Sequence, residues 1–195
     1  MNTVPATPVP GHALQWWTEY WRGLYATPRA WAHKGELLFH AFEAIADASV
    51  PGSMHLNMRD QALMLAGMSV EVQLKAIIVH SQAARAVVTA SRPAKTSQDR
   101  ALWDAFYSHS LTILAQHAGV ALTPAQAATA AALTEFIYWR GRYVLPTERG
   151  IGSLIPVVLP TGLVGDPLQQ DSFDTVRELI AHVIKAVKAS LYGVV

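Results

Sequence analysis

The hydrophobic pattern is densest over residues 62–80, ALMLAGMSVEVQLKAIIVH, a stretch with no proline and a single glycine. At about 100° per residue, Leu63, Met64, Leu65, Met68, Val70, Val72, Leu74, Ile77, Ile78 and Val79 cover nearly the whole circumference of a helix. Only Ala66, Ser69, Gln73, Ala76 and His80 form a narrow strip of small or polar residues. A helix that is apolar almost all round belongs in the middle of a bundle. Two charges break the pattern. Glu71 and Lys75 fall on the apolar arc, beside Met64, Gly67, Met68 and Ile78. Their i,i+4 order, Glu first, favours an ion pair. Charges are buried only when paired or hydrogen-bonded. The spacing therefore predicts a buried pair, either holding the core in one arrangement or forming the floor of a site.

The flanking patterns predict further helices. Residues 12–26, HALQWWTEYWRGLYA, place Trp16, Trp17, Tyr20, Trp21, Leu24 and Tyr25 on one aromatic stripe. That stripe suits a helix laid across the bundle or across a second subunit. Thr27 followed by Pro28 starts the next helix, and Pro51 with Gly52 ends it after about Ala48. On this helix His33, Glu36, His40 and Glu43 share an arc of about 80°. They resemble half of a carboxylate-bridged metal site. The apolar set Leu37, Leu38, Ala41, Phe42 and Ile45 lies about 150° away, so the stripe is predicted to face solvent, and no second Glu-x-x-His completes a metal site. The central helix is predicted from near Met58 to about Ala90, where Ser91, Arg92 and Pro93 stop it. Ser97 or Asp99 can cap a short helix through Phe106, and Ser108 can cap another that Gly119 closes. Thr123, Pro124 and Gln126 form a capping box with proline at the first helical position, opening a helix to about Arg140. Asp171 and Ser172 cap a last amphipathic helix that ends before Gly193.

Two segments do not read as helix. Residues 1–11 hold three prolines and a glycine and are expected to be a flexible tail. Residues 144–170 hold four prolines and four glycines yet are apolar, so neither a long helix nor a central strand suits them. A loop of this length is expected to cover the bundle end, form a lid or pack at a dimer interface. The expected organisation is a single helical domain over residues 12–195.

Composition narrows the function classes. Hydrophobic residues make up 51% and charged residues 15%, which supports a full core. The net charge of +1 makes no electrostatic case for nucleic-acid binding. Cysteine is absent, which removes disulfides, thiolate metal sites and a Cys nucleophile. The first residues show neither a basic region nor an apolar run, so no signal peptide is predicted. Glu71 and Lys75 inside the longest apolar stretch argue against a membrane span. A cytoplasmic protein without cofactor or metal is expected.

Three stretches resemble one family. Residues 65–79, LAGMSVEVQLKAIIV, are similar to the apolar-Glu-x-x-Leu-Lys-apolar helix of HEPN-like proteins. Residues 108–123, SHSLTILAQHAGVALT, are similar to their His-x-Leu-x-x-Leu segment with its following Ala-Gly and capping Thr or Ser. Residues 139–146, WRGRYVLP, are similar to the Trp-x-Gly-Arg-Tyr-x-x-Pro close of bacterial members. The resemblance covers roughly residues 30–146 in the family's order. It implies an all-α, up-and-down bundle of four or five helices, often homodimeric, here with an extra N-terminal aromatic helix and the long Pro/Gly-rich loop. It also implies two classes of function. Non-catalytic members bind nucleotides, RNA or protein partners. Catalytic members are metal-independent RNases that carry Arg-x4-6-His in a late helix and work by acid/base chemistry across two subunits. Arg177 and His182 match that spacing, although Glu178 stands where active members favour a polar, often amide, residue. Outside that pair, Glu71, Lys75, His109, Arg142 and Tyr143 are the candidates for a ligand site or polar cluster. A binding module is the expected function, with the RNase as the alternative.

Overall fold

The protein is all-α in a computed structural model that describes residues 26–47, 54–90, 96–140 and 173–194, with Tyr20, Gly23 and a short strand pairing. Seven α-helices lie among the described residues: α1 (Pro28–Ala46), α2 (Met54–His80), α3 (Gln82–Val88), α4 (Ser97–Tyr107), α5 (Leu111–Ala118), α6 (Pro124–Glu135) and α7 (Asp174–Tyr192). A π-helical turn, Phe136–Arg140, continues α6. Val157–Val158 pairs antiparallel with Val164–Gly165 inside the Pro/Gly-rich segment. The predicted aromatic helix of residues 12–26 lies almost wholly outside the described residues, as do residues 1–11, Asp171 and Ser172.

Helix α2 is the centre of the packing, with α1, α5, α6, the π turn and α7 against it. Its buried residues include Ala62, Leu63, Ala66, Ser69, Val70, Gln73, Leu74, Ala76, Ile78 and Val79. Residues Met58–His80 are long and apolar enough to cross a membrane by length and composition, yet 72% of the qualifying window is buried within the protein. Apart from the exposed His80, the small and polar strip of this helix does not face solvent. Ser69 and Gln73 turn towards α1, where Ser69 Oγ donates to the Gly35 carbonyl oxygen at 2.8 Å and accepts from Gln73 Nε2 at 3.0 Å. Small residues on both helices let the backbones approach, and the strip makes a polar contact with α1 there.

The outer helices bury one face each. Helix α7 buries Val176, Leu179, Ile180, Val183 and Val187, the i, i+3, i+4, i+7 pattern of an amphipathic helix. Helix α1 buries Ala32, Gly35, Leu38 and Phe42. Leu37, predicted on that face, is half exposed. His33, Glu36 and His40 face solvent as the pattern predicts. Phe42 meets Phe173 edge-on at 5.4 Å between ring centroids, tying α1 to the start of α7.

Several boundaries depart from the predicted ones. The central helix breaks at Ser81 instead of running to Ala90. Ser81 adopts extended backbone angles and its side chain accepts from the Ala84 amide, restarting the chain as α3. Arg85 donates to the carbonyl oxygens of Val79 at 2.9 Å and His80 at 3.2 Å, satisfying the end of α2. Thr96, not Ser97 or Asp99, caps α4. The helix after it starts at Leu111, two residues later than a Ser108 cap implies. The reason is tertiary: Thr134 on α6 accepts from the Leu111 amide at 3.2 Å, supplying the cap from across the fold. The capping box at Thr123 and Gln126 forms as predicted, and Gly119 and Gly193 take the left-handed conformation that ends α5 and α7.

Candidate functional site

The buried pair of α2 lies beneath the link between α4 and α5. Glu71 and Lys75 are each 6% exposed. Lys75 Nζ reaches Glu71 Oε1 at 2.6 Å, the ion pair that the spacing predicts. The other carboxylate oxygen, Oε2, lies 3.0 Å from His109 Nδ1. Thus all three of these sequence candidates meet at one carboxylate. The ammonium also lies 5.2 Å from the Phe106 ring centroid and 6.0 Å from that of Trp31, a cation–π environment in place of water. Trp31 and Phe106 pack edge-to-face at 5.6 Å, which holds both rings in place.

His109 owes its position to the turn that carries it. Ser108 Oγ donates to the Ala105 carbonyl oxygen at 2.8 Å, closing the end of α4. The Ser110 amide donates to Ser108 Oγ at 3.4 Å, and Thr134 caps Leu111. His109 is therefore left outside both helices, its ring resting on Glu71 and facing the surface. Tyr138, on the π-helical turn, packs its ring perpendicular to that imidazole at 5.2 Å between centroids. The Tyr138 hydroxyl accepts from the His109 amide at 3.4 Å. Tyr138 is 45% exposed. Single π turns inside α-helices occur often at functional sites, because the extra residue re-aims a side chain.

A buried ion pair is a weak source of stability, since desolvation offsets most of its attraction. Here the pair also orients a histidine at the surface, beside an exposed aromatic ring. That arrangement provides one hydrogen-bonding imidazole edge and one ring face for a ligand. Tyr138 was not among the sequence candidates, because nothing in FIYWR announces a π turn. Arg142 and Tyr143 lie outside the described residues.

The other candidate pair is spread over two places. Arg177 Nε donates to Glu43 Oε1 at 2.9 Å and Nη2 to Asp47 Oδ1 at 3.0 Å, both on the C-terminal end of α1, and Nη1 lies 3.6 Å from Asp174 Oδ1. The hydrogen bond to Glu43 raises the guanidinium pKa above its ordinary value, with burial opposing and the three carboxylates adding. His182 Nε2 bonds the Ala121 carbonyl oxygen at 2.9 Å, before α6. Within one chain, the two side chains are thus engaged with different partners and do not converge on a shared cleft. Glu43, which the sequence places on a solvated stripe, is an ion-pair partner instead. Among the described residues no group of three or more His, Asp or Glu side chains is arranged to hold a metal. No protein-family model, no curated protein and no solved structure matches the chain.

Proposed function

We propose that the chain is a HEPN-like helical binding module that presents His109 and Tyr138, over the Glu71–Lys75 pair, to a nucleotide, an RNA or a protein partner. The observation that carries this reading is the doubly engaged Glu71 carboxylate, buried at the foot of a histidine that is partly open to solvent. Such a cluster adds little stability for its cost, which points to a role at the surface it supports. The up-and-down HEPN-like arrangement, the homodimer, the cytoplasmic setting and the lack of RNA cleavage belong to the same reading. The first two rest on the resemblance of residues 65–79, 108–123 and 139–146, and the third on the cysteine-free composition, which fits a reducing compartment. The last rests on the separate engagements of Arg177 and His182.

The test is calorimetric titration of the purified chain with mononucleotides and with short single-stranded RNA. Co-purification from a bacterial host covers protein partners, and light scattering gives the oligomeric state. The same titrations and co-purification on His109→Ala and Tyr138→Ala complete the set. Binding that both variants weaken supports the module and places its contact. A parent that binds nothing, or variants that bind as well as the parent, overturns it.

A further inference from the structure

The direction of the hydrogen bond between Glu71 and His109 is fixed by what surrounds the carboxylate. Glu71 Oε1 takes the Lys75 ammonium at 2.6 Å, and Oε2 lies 3.0 Å from His109 Nδ1. A carboxylate paired with an ammonium is ionised and can only accept hydrogen bonds. The proton of the Glu71–His109 bond therefore sits on Nδ1. A neutral imidazole carries a single ring proton, so Nε2 keeps its lone pair. Among the described residues no donor reaches Nε2, and 35% of the His109 side chain is exposed. His182 is the reverse case. Its Nε2 faces the Ala121 carbonyl oxygen, an acceptor, so its proton is on Nε2. In their neutral forms the two histidines thus take opposite tautomers, each set by its partner.

We propose that Glu71 and His109 form a carboxylate–imidazole dyad whose outward Nε2 receives a hydrogen bond from a ligand O–H or N–H, with Tyr138 as the aromatic wall beside it. The ligand class is a flat ring bearing a donor group. Tyr138 offers that ring an apolar face, and Nε2 accepts its proton. Glu71 is a positioning residue, acting through His109. Lys75 occupies Oε1 and leaves Oε2 to accept from Nδ1. The inference rests on the proposed binding role of this surface and adds to it the polarity of what is bound. A ligand presenting an acceptor instead of a donor would set two lone pairs against each other and be rejected.

The experiment uses the full chain labelled with ¹⁵N, at a pH where both histidines are neutral. Long-range ¹H–¹⁵N correlation spectra separate protonated from unprotonated ring nitrogens, and His109→Gln assigns the His109 signals. The expected result is a protonated Nδ1 and a bare Nε2 for His109, with the opposite pattern for His182. A protonated Nε2 on His109, or rapid averaging of its two tautomers, overturns the dyad. Phenol, a ring with a donor, is then titrated against anisole, the same ring without one. Phenol is expected to move the His109 Nε2 signal and anisole to leave it in place, with the phenol response reduced severalfold in Tyr138→Ala. Equal responses to the two probes, no response to phenol, or a full phenol response in Tyr138→Ala overturns the ligand class. Absence of nucleotide, RNA or protein binding in a chain that passes these tests refutes the proposed module and leaves the dyad standing. Partner binding with the wrong tautomer refutes the dyad alone.

Discussion

Ser69 Oγ donates to the carbonyl oxygen of Gly35 at 2.8 Å, a bond that ties α1 to the central helix where no side chain separates them. A Cβ built on Gly35 would lie 2.3 Å from Gln73 Cγ and 3.2 Å from the Ser69 carbonyl oxygen. Gln73 is buried and bonded to Ser69, so its side chain has little room to retreat. Gly35→Ala gains about 1 kcal/mol from helix propensity. Overpacking costs about 1–3 kcal/mol, and the displaced Gln73 loses a buried hydrogen bond worth about 1 kcal/mol. The expected net is a destabilisation of about 1–3 kcal/mol by denaturant unfolding. A variant as stable as the parent would show that the two helices are farther apart than described.

The Glu71–Lys75 pair gives a second, larger prediction. Glu71→Ala leaves the Lys75 ammonium buried, with aromatic faces around it and no carboxylate. Removing one partner of a buried pair costs about 3–5 kcal/mol. Replacing both, as in Glu71→Leu with Lys75→Met, should recover most of that loss, because no unpaired charge remains. Urea unfolding of the parent and the two variants checks both statements. A loss below about 1 kcal/mol for Glu71→Ala would mark the pair as solvated.

Arg177 predicts a smaller effect with a salt signature. Its partners Asp47 and Asp174 are largely exposed, while Glu43 is less so, and the guanidinium itself is about one-third exposed. Solvent screening limits such a network of three pairs to about 0.6–3 kcal/mol in Arg177→Ala, at roughly 0.2–1 per pair. The penalty should shrink as salt rises towards about 1 M, where the screening length is about 3 Å. Arg177→Lys should recover only part, because a single ammonium cannot reach Glu43 and Asp47 with a fork. The sign of the pH dependence follows from the raised pKa of Arg177. Stability gained by a cation with a raised folded pKa is complete below its unfolded value and is lost only as pH rises through the folded one. Arg177 titration therefore contributes no change across the neutral range. A penalty that stays the same at high salt would assign Arg177 a packing role over Phe42 instead, whose centroid lies 6.0 Å from its Cζ.

What the sequence disclosed, and what it hid, divides along a physical line. The central helix was legible because apolar residues round nearly the whole circumference leave only one place for it. Glu71 and Lys75 were legible as a pair because their spacing and surroundings admit few other outcomes. Gly119 and the Thr123 capping box are local devices, read directly from neighbouring residues. Long-range partners were not legible. Thr134 caps Leu111 from 23 residues away, Arg177 reaches Glu43 across 134 residues, and Ser69 finds Gly35 across 34. Each depends on how helices cross, which periodicity does not encode. The π turn that carries Tyr138 was likewise not legible; it sets Ile137 against Gly67, where a Cβ would lie 2.8 Å from Ile137 Cγ1.

The last prediction concerns RNA cleavage. Arg177 and His182 are five residues apart on α7, about 140° round the helix. Arg177 is held by Glu43 and Asp47 of α1, and His182 by the Ala121 carbonyl oxygen. For both to act on one phosphodiester, a second subunit would have to bring the missing partner, and Arg177 would have to leave its carboxylates. A net charge of +1 supplies no excess of cations to hold a polyanion in the meantime. Glu178, the exposed residue that follows Arg177, adds a further negative charge to this stretch of α7. The expected outcome is no cleavage of a mixed RNA pool by the purified chain beyond that of Arg177→Ala and His182→Ala. Light scattering on the same samples establishes whether a dimer was present, so that a negative result is not merely a missing second subunit. Cleavage by the parent that both variants lose would replace the binding module with the nuclease and would require the two side chains to meet across a two-fold axis.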